Sequence, residues 1–123
     1  MPANSLAILE GPNMTLTATA VAIAAFLRVN VGAAGTIAVA AIGVSGVGIT
    51  KHAYAASGTG VVRLLNASGT QIGTASEAIA IGDPVYSAAL GKISKTAGGG
   101  AVLLGVATSV AAADGNLFTF IRT

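Results

Sequence analysis

The chain has 123 residues, 54% of them hydrophobic and only 8% charged, with a formal net charge of +2 from six cations and four anions. One domain's worth of chain with so few charges must cover its surface with Ala, Gly, Ser and Thr, which favours work inside an assembly. The absence of cysteine excludes disulfides and thiolate metal sites, and the scattered cations Arg28, Lys51, Arg63, Lys92, Lys95 and Arg122 argue against nucleic-acid binding.

Residues 1–15 read as an arm punctuated by Pro2, Gly11 and Pro12. It is either a frayed terminus or a segment that orders against a partner. No basic region followed by an apolar one opens the chain, so a secretory signal is not expected. From Thr15 the pattern changes to a period of two, with Thr15, Thr17 and Thr19 alternating with Leu16, Ala18 and Ala20. Val21–Leu27 is ambiguous between strand and helix because alanine favours helix. Val29–Thr50 runs without a charge and is long enough to span a bilayer. Its five glycines, its lack of Leu and Phe, and the absence of a flanking basic cluster argue for short strands instead.

Lys51–Thr59 reads as a connection ending in a Ser57-Gly58 turn, followed by a strand at Val61–Leu65 and a turn at Asn66–Gly69. Thr74–Ala78 leads into Ala80–Ile93. There Gly82-Asp83-Pro84 forms a turn, Val85-Tyr86 a strand, and a second turn closes on Gly91 before Lys92-Ile93. After the Gly98–Gly100 loop come a buried strand at Ala101–Val106, a turn at Asp114-Gly115 and a closing strand at Leu117–Ile121. Strands at this spacing predict an all-β fold, a small barrel or sandwich with Gly-rich turns, spanning residues 16–123 behind the arm. Gly48-Ile49-Thr50 returns as Gly105-Val106-Ala107, and Ser57-Gly58 returns as Asp114-Gly115 behind a matching alanine pair. Gly35-Thr36-Ile37 answers Gly91-Lys92-Ile93. These echoes suggest a two-fold internal pseudo-repeat.

Chemistry is scarce. His52 has no acidic neighbour in sequence and reads as a solvated loop histidine, not a metal ligand. Asp83 and Asp114 sit beside glycine, where a carboxylate caps backbone N–H groups. The glycines of Gly43–Gly48 lack the lysine of a phosphate-binding loop, since Ile49 follows Gly48. Without a catalytic constellation, cofactor site or metal cluster, an enzyme is not expected. The residues singled out are structural: the turn positions Gly82, Asp83, Pro84, Gly91, Gly105, Asp114 and Gly115.

The order Ala80-Ile81-Gly82-Asp83-Pro84-Val85-Tyr86, Gly91-Lys92-Ile93, Leu104-Gly105-Val106-Ala107 and Ala111–Gly115, with Gly48-Ile49-Thr50 and Val61–Leu64 upstream, resembles a known family. It is similar to the capsid decoration (cement) proteins of tailed bacteriophages, formerly a domain-of-unknown-function family, over roughly residues 16–123. The resemblance implies a β-rich virion protein on the outer capsid surface that cements major capsid protein subunits as homotrimers at three-fold and quasi-three-fold positions. It also implies an arm that adds to the capsid surface as a strand, with Ala3, Asn4, Ser5, Leu6, Ala7, Ile8 and Leu9 as candidate contacts. The low charge departs from the acidic surface usual for phage decoration proteins. Two other classes stay open at this stage: a fibre, shell or adhesin subunit with the same composition, and a membrane-embedded protein.

Overall fold

The computed structural model describes residues 13–32 and 35–123. The arm residues Ala3 to Leu9 therefore lie outside the described residues. Ten strands follow in order: β1 (Asn13–Ala18), β2 (Arg28–Val31), β3 (Thr36–Val39), β4 (Gly48–Thr50), β5 (Thr59–Leu64), β6 (Thr70–Thr74), β7 (Pro84–Ser87), β8 (Ile93–Ser94), β9 (Leu103–Ala107) and β10 (Leu117–Arg122). A single 3-10 turn, Ala89–Gly91, separates β7 from β8.

The first five strands close a barrel in the order β1-β3-β2-β4-β5, and the last five form a sheet in the order β6-β10-β9-β7-β8. In each half the first strand runs antiparallel to the last, with Asn13 opposite Arg63 and Thr70 opposite Ile121. β1 is also parallel to β3 in the first half, and the bridge Ala75–Ile93 repeats that contact in the second. The second sheet therefore curls along the same path as the first barrel.

The repeat suggested by the sequence extends to single hydrogen bonds. Ile23 and Tyr54 exchange N–H···O bonds at 3.0 and 2.7 Å, as Ile79 and Ala111 do at 2.9 and 3.0 Å. The Phe26 N–H donates to the Thr50 carbonyl at 2.8 Å, and the Gly82 N–H donates to Ala107 at 2.9 Å. Both turns need a left-handed residue, supplied by Phe26 at φ 60° in one half and Gly82 at φ 89° in the other. Ser57 (φ 58°) is equivalent to Gly115 (φ 88°), one residue out of step with the sequence echo, which pairs it with Asp114.

Several expectations need correction. Val21–Leu27 contains no helix: Val21 is exposed while Ile23 is buried and bridged to Tyr54, so backbone pairing across the barrel overrides alanine's propensity. By contrast, the uncharged run Val29–Thr50 carries most of β2 and all of β3 and β4, the short strands expected of it. Gly105 is not a turn residue. It lies inside β9, where a Cβ would fall within contact distance of the Ile121 carbonyl oxygen; Gly48 stands in the same way against the Arg63 carbonyl.

The strand missing from the sequence reading is β6. Its pattern is inverted: Gln71 and Gly73 are buried while Ile72 is exposed. Gln71 is fully buried: its Nε2 donates to the Leu64 and Ala67 carbonyls at 3.2 and 3.4 Å, while its Oε1 has no hydrogen-bond partner among the described residues. Gly73 is buried because a Cβ there would strike Ile93.

Two cores result. Ala18, Ile23, Val29, Ile37, Tyr54 and Val62 fill the first barrel. The second, built around Val85, Ile93, Leu104, Phe118 and Phe120, also takes in Ile49, Leu65 and Phe26 from the first half. Burying Ile49 and Leu65 there contributes on the order of 2 kcal/mol each, so the halves are joined by shared apolar packing.

Candidate functional site: the inter-barrel junction and the outer faces

At the junction sits Arg28, the first residue of β2 and fully buried. Its guanidinium meets five carbonyl oxygens and no carboxylate. Nε donates to Lys92 at 3.0 Å; Nη1 donates to Val44 at 2.5 Å and Ser45 at 3.2 Å; Nη2 donates to Ala88 at 2.5 Å and Ala41 at 3.4 Å. Five acceptors match the five N–H groups of the fork. Burial pushes the guanidinium down to about 10, still far above neutrality, so it stays charged. Three acceptors come from the first half and two from the second, which makes Arg28 a staple between them.

The Gly-rich loop 43–48 acquires its role here. It does not turn N–H groups toward an anion; the loop and the residues before it turn carbonyls toward a cation. Gly46, at φ 88° and with its Cβ position 2.8 Å from the Val29 carbonyl, permits that path. Other bonds cross the same seam. Ser87 Oγ donates to the Ile42 carbonyl, Thr74 Oγ1 donates to Phe26 at 2.9 Å, and the Gly91 N–H donates to Ala40 at 3.0 Å.

The residues singled out from the sequence take up different settings. Gly82, Asp83 and Pro84 form the turn entering β7, with Asp83 Oδ2 accepting from the Ala80 N–H at 2.9 Å. Gly91 (φ 72°) packs so tightly that a Cβ would stand 2.9 Å from the Arg28 carbonyl and from Val39 Cγ1. Asp114 does not cap its turn; its carboxylate pairs with Lys92 Nζ at 2.8 Å. Gly115 supplies the left-handed residue beside it. The structure thus brings Gly91 to the staple, and leaves Gly82, Asp83 and Gly115 at outer turns. Arg28 itself was missed. The signal available was a lone cation directly after the apolar run Val21–Leu27 and before Val29.

His52 is exposed, and its ring is part of the frame. Nε2 accepts from the Val61 N–H at 3.2 Å and Nδ1 lies 3.1 Å from the Ala53 carbonyl, which together assign the proton to Nδ1. The ring stacks on Tyr54 at 5.1 Å. In the second half Ser109 Oγ takes over, accepting from Thr119 N–H at 2.8 Å. Burial raises the Tyr54 phenol, which keeps it protonated. Among the described residues no group of His, Cys, Asp and Glu can hold a metal ion, and no helix is long and apolar enough to cross a membrane.

The two halves differ on their outer faces. In the first barrel, β1 and β5 present Asn13, Thr15 and Thr17 beside Thr59, Val61 and Arg63. The same face of the second presents Thr70 and Ile72 on β6 beside Leu117, Thr119 and Ile121 on β10. Ile72, Leu117 and Ile121 are 42%, 50% and 40% exposed. These three form an apolar row on a solvated sheet face.

A family model described as phage cement protein matches residues 8–122. The chain belongs to the phage cement protein family. It is accordingly a phage structural protein, a virion component associated with the capsid. Among solved structures it is similar to the N base of the head fibre gp8.5 in bacteriophage phi29, with a TM-score of 0.70 at 17% identity, covering 90% of this chain and 94% of that one. At that identity the likeness concerns the fold alone. No curated protein matches the chain in sequence.

Proposed function

We propose that this cement-family protein binds the outer surface of the phage head and clamps neighbouring major capsid protein subunits together. In this reading it acts as a homotrimer at three-fold and quasi-three-fold positions and carries out no chemistry. The observation that carries the reading is the unequal pair of outer faces. A repeat with one polar face and one apolar face has a built-in direction, with the second sheet as its adhesive side. Trimerisation multiplies modest single contacts by avidity, as binding to a lattice requires. The arm residues Ala3 to Leu9 supply the strand that adds to the capsid surface.

The test uses purified, expanded capsids lacking the protein. Full-length chain should bind them and raise the temperature at which they rupture, while a chain lacking residues 1–12 should stay folded and bind more weakly. Sedimentation of the free protein should give three times the 11.8 kDa chain mass. Failure of the full-length chain to bind would refute the reading. The likeness to a head-fibre base favours a second one, an attachment base for a fibre. Such a base would bind the capsid equally well without raising its rupture temperature.

A further inference from the structure

Each half ends one of its ladders in the same way. β4 and β5 pair as far as Thr50 opposite Val62, and β9 and β10 as far as Ala107 opposite Phe120. One step beyond, a single backbone bond continues each ladder. The Lys51 N–H donates to the Val61 carbonyl at 3.2 Å, and the Thr108 N–H donates to the Thr119 carbonyl at 2.8 Å. In an antiparallel pair the return bond would run from Val61 or Thr119 back to the backbone of the neighbouring strand. Here it goes to a side chain instead: His52 Nε2 receives Val61 N–H at 3.2 Å, and Ser109 Oγ receives Thr119 N–H at 2.8 Å.

The two caps differ in one respect. A serine oxygen accepts whatever the pH, whereas an imidazole nitrogen accepts only while it carries no proton. His52 holds its one proton on Nδ1, against the Ala53 carbonyl at 3.1 Å, so a second proton can go only to Nε2. There it would meet the Val61 N–H, donor against donor, and the ring must leave. The ring also stacks on Tyr54 at 5.1 Å and stands over Gly60, where a Cβ would collide with both rings. Its departure therefore uncovers Tyr54 and the start of β5. The charged groups nearby do not hold an imidazolium. Lys51 precedes it in the chain, Arg63 follows Val61 by two residues on β5, and the Tyr54 phenol keeps its proton. β1 brings only the uncharged Asn13, Thr15 and Thr17 to this face. Among the described residues the one ion pair is Lys92–Asp114, so no carboxylate answers His52.

We infer that His52 is a pH-operated latch on the first half of the molecule. Neutral, it closes the end of the β4–β5 ladder; protonated, it releases the Val61 N–H and frees residues 51–53 from β5. Ser109 leaves the equivalent ladder of the second half closed throughout. Mild acid thus loosens one half of the repeat and spares the other. This inference concerns the free protein and stands apart from the capsid reading.

Amide hydrogen exchange on the free full-length protein tests it, with each rate divided into the intrinsic rate at the same pH. Between about pH 7.5 and about pH 5, the range in which histidine ordinarily takes up its proton, the protection of the Val61 amide should fall at least tenfold. The Thr119 amide, capped by Ser109, should change less than twofold and serves as the internal control. The chain has one histidine, so ring ¹⁵N shifts report the same group directly. They should show the proton on Nδ1 at the upper pH, and Nε2 should gain its proton at the midpoint of the Val61 loss. His52→Gln places an oxygen that does not titrate near the position of Nε2 and should keep Val61 protected at both ends of the range, with circular dichroism confirming the fold. Unchanged Val61 protection in the native chain, or an equal fall at Thr119, would overturn the inference. So would a ring midpoint separate from the amide's, or a folded His52→Gln chain that still loses protection in acid. The first three outcomes are read on the native protein and do not depend on the variant.

Discussion

Replacing Arg28 with methionine keeps most of the buried aliphatic stem and removes the fork that five carbonyls face. Hydrogen bonds to a charged group contribute roughly 1.5–3 kcal/mol each, but burying the guanidinium costs several kcal/mol in return. Because methionine leaves the inward-facing carbonyls without their shared donor, the net loss should be about 3–5 kcal/mol. For a chain of this length one kcal/mol corresponds to roughly 4 °C, so melting should fall by roughly 12–20 °C. Arg28→Lys keeps the charge with three donors and should lose about half as much. Urea unfolding and calorimetry at one fixed protein concentration measure both variants. The methionine variant should also unfold in two steps, because the seam weakens more than either core. A loss below about 1 kcal/mol, with a single transition retained, would refute the staple.

Arg28 also sets a pH expectation. Burial lowers its pKa to about 10, so below that value it is charged in both folded and unfolded chains. The stability difference between the native protein and Arg28→Met should therefore stay flat from about pH 6 to 9 in urea titrations. Above about 10 the folded chain holds fewer protons than the unfolded one, and the contribution of this group should rise with pH. Three glycines should rank in cost on thermal melting. Gly82→Ala meets no neighbour and pays only the left-handed strain of about 1–2 kcal/mol, Gly91→Ala adds contact with Arg28 and Val39 for about 3–5 kcal/mol, and Gly105→Ala should prevent β10 from pairing and leave no folded protein. Lys92→Met or Asp114→Asn should cost less than about 1 kcal/mol, since Asp114 is 63% exposed in the pair; a larger loss in a double-mutant cycle would contradict that assignment.

Much of this architecture was legible in the sequence, and for a physical reason. Turns demand particular residues, so Gly82-Asp83-Pro84 and Asp114-Gly115 were visible before any packing was known, while Gly48 and Gly105 were visible as a repeat but not as the in-strand close contacts they make. The repeat was legible for the same reason, because matching turns must recur where the two halves follow the same path. What stayed hidden depends on neighbours far along the chain. β6 points Gln71 inward because the Leu64 and Ala67 carbonyls receive it, and a period-two reading of that segment gives the wrong face. The cage around Arg28 gathers carbonyls from five positions, and backbone atoms leave no mark in side-chain patterns. Nothing in the turn chemistry distinguishes the polar outer face of the first barrel from the apolar one of the second; only the register shows which residues share a face.

The Arg28 cage has a further consequence for the order in which the protein is made. During synthesis the first barrel has all of its own strands once Leu64 has left the ribosome, and domains tend to fold as they emerge. At that moment two of the five acceptors of Arg28, the carbonyls of Ala88 and Lys92, do not yet exist as folded structure. The nascent first half therefore carries a half-caged cation together with Phe26, Ile49 and Leu65, apolar residues whose cover is still to come. A chain ending before Ala88 lacks the cover for that seam, which the second half supplies in the full-length chain.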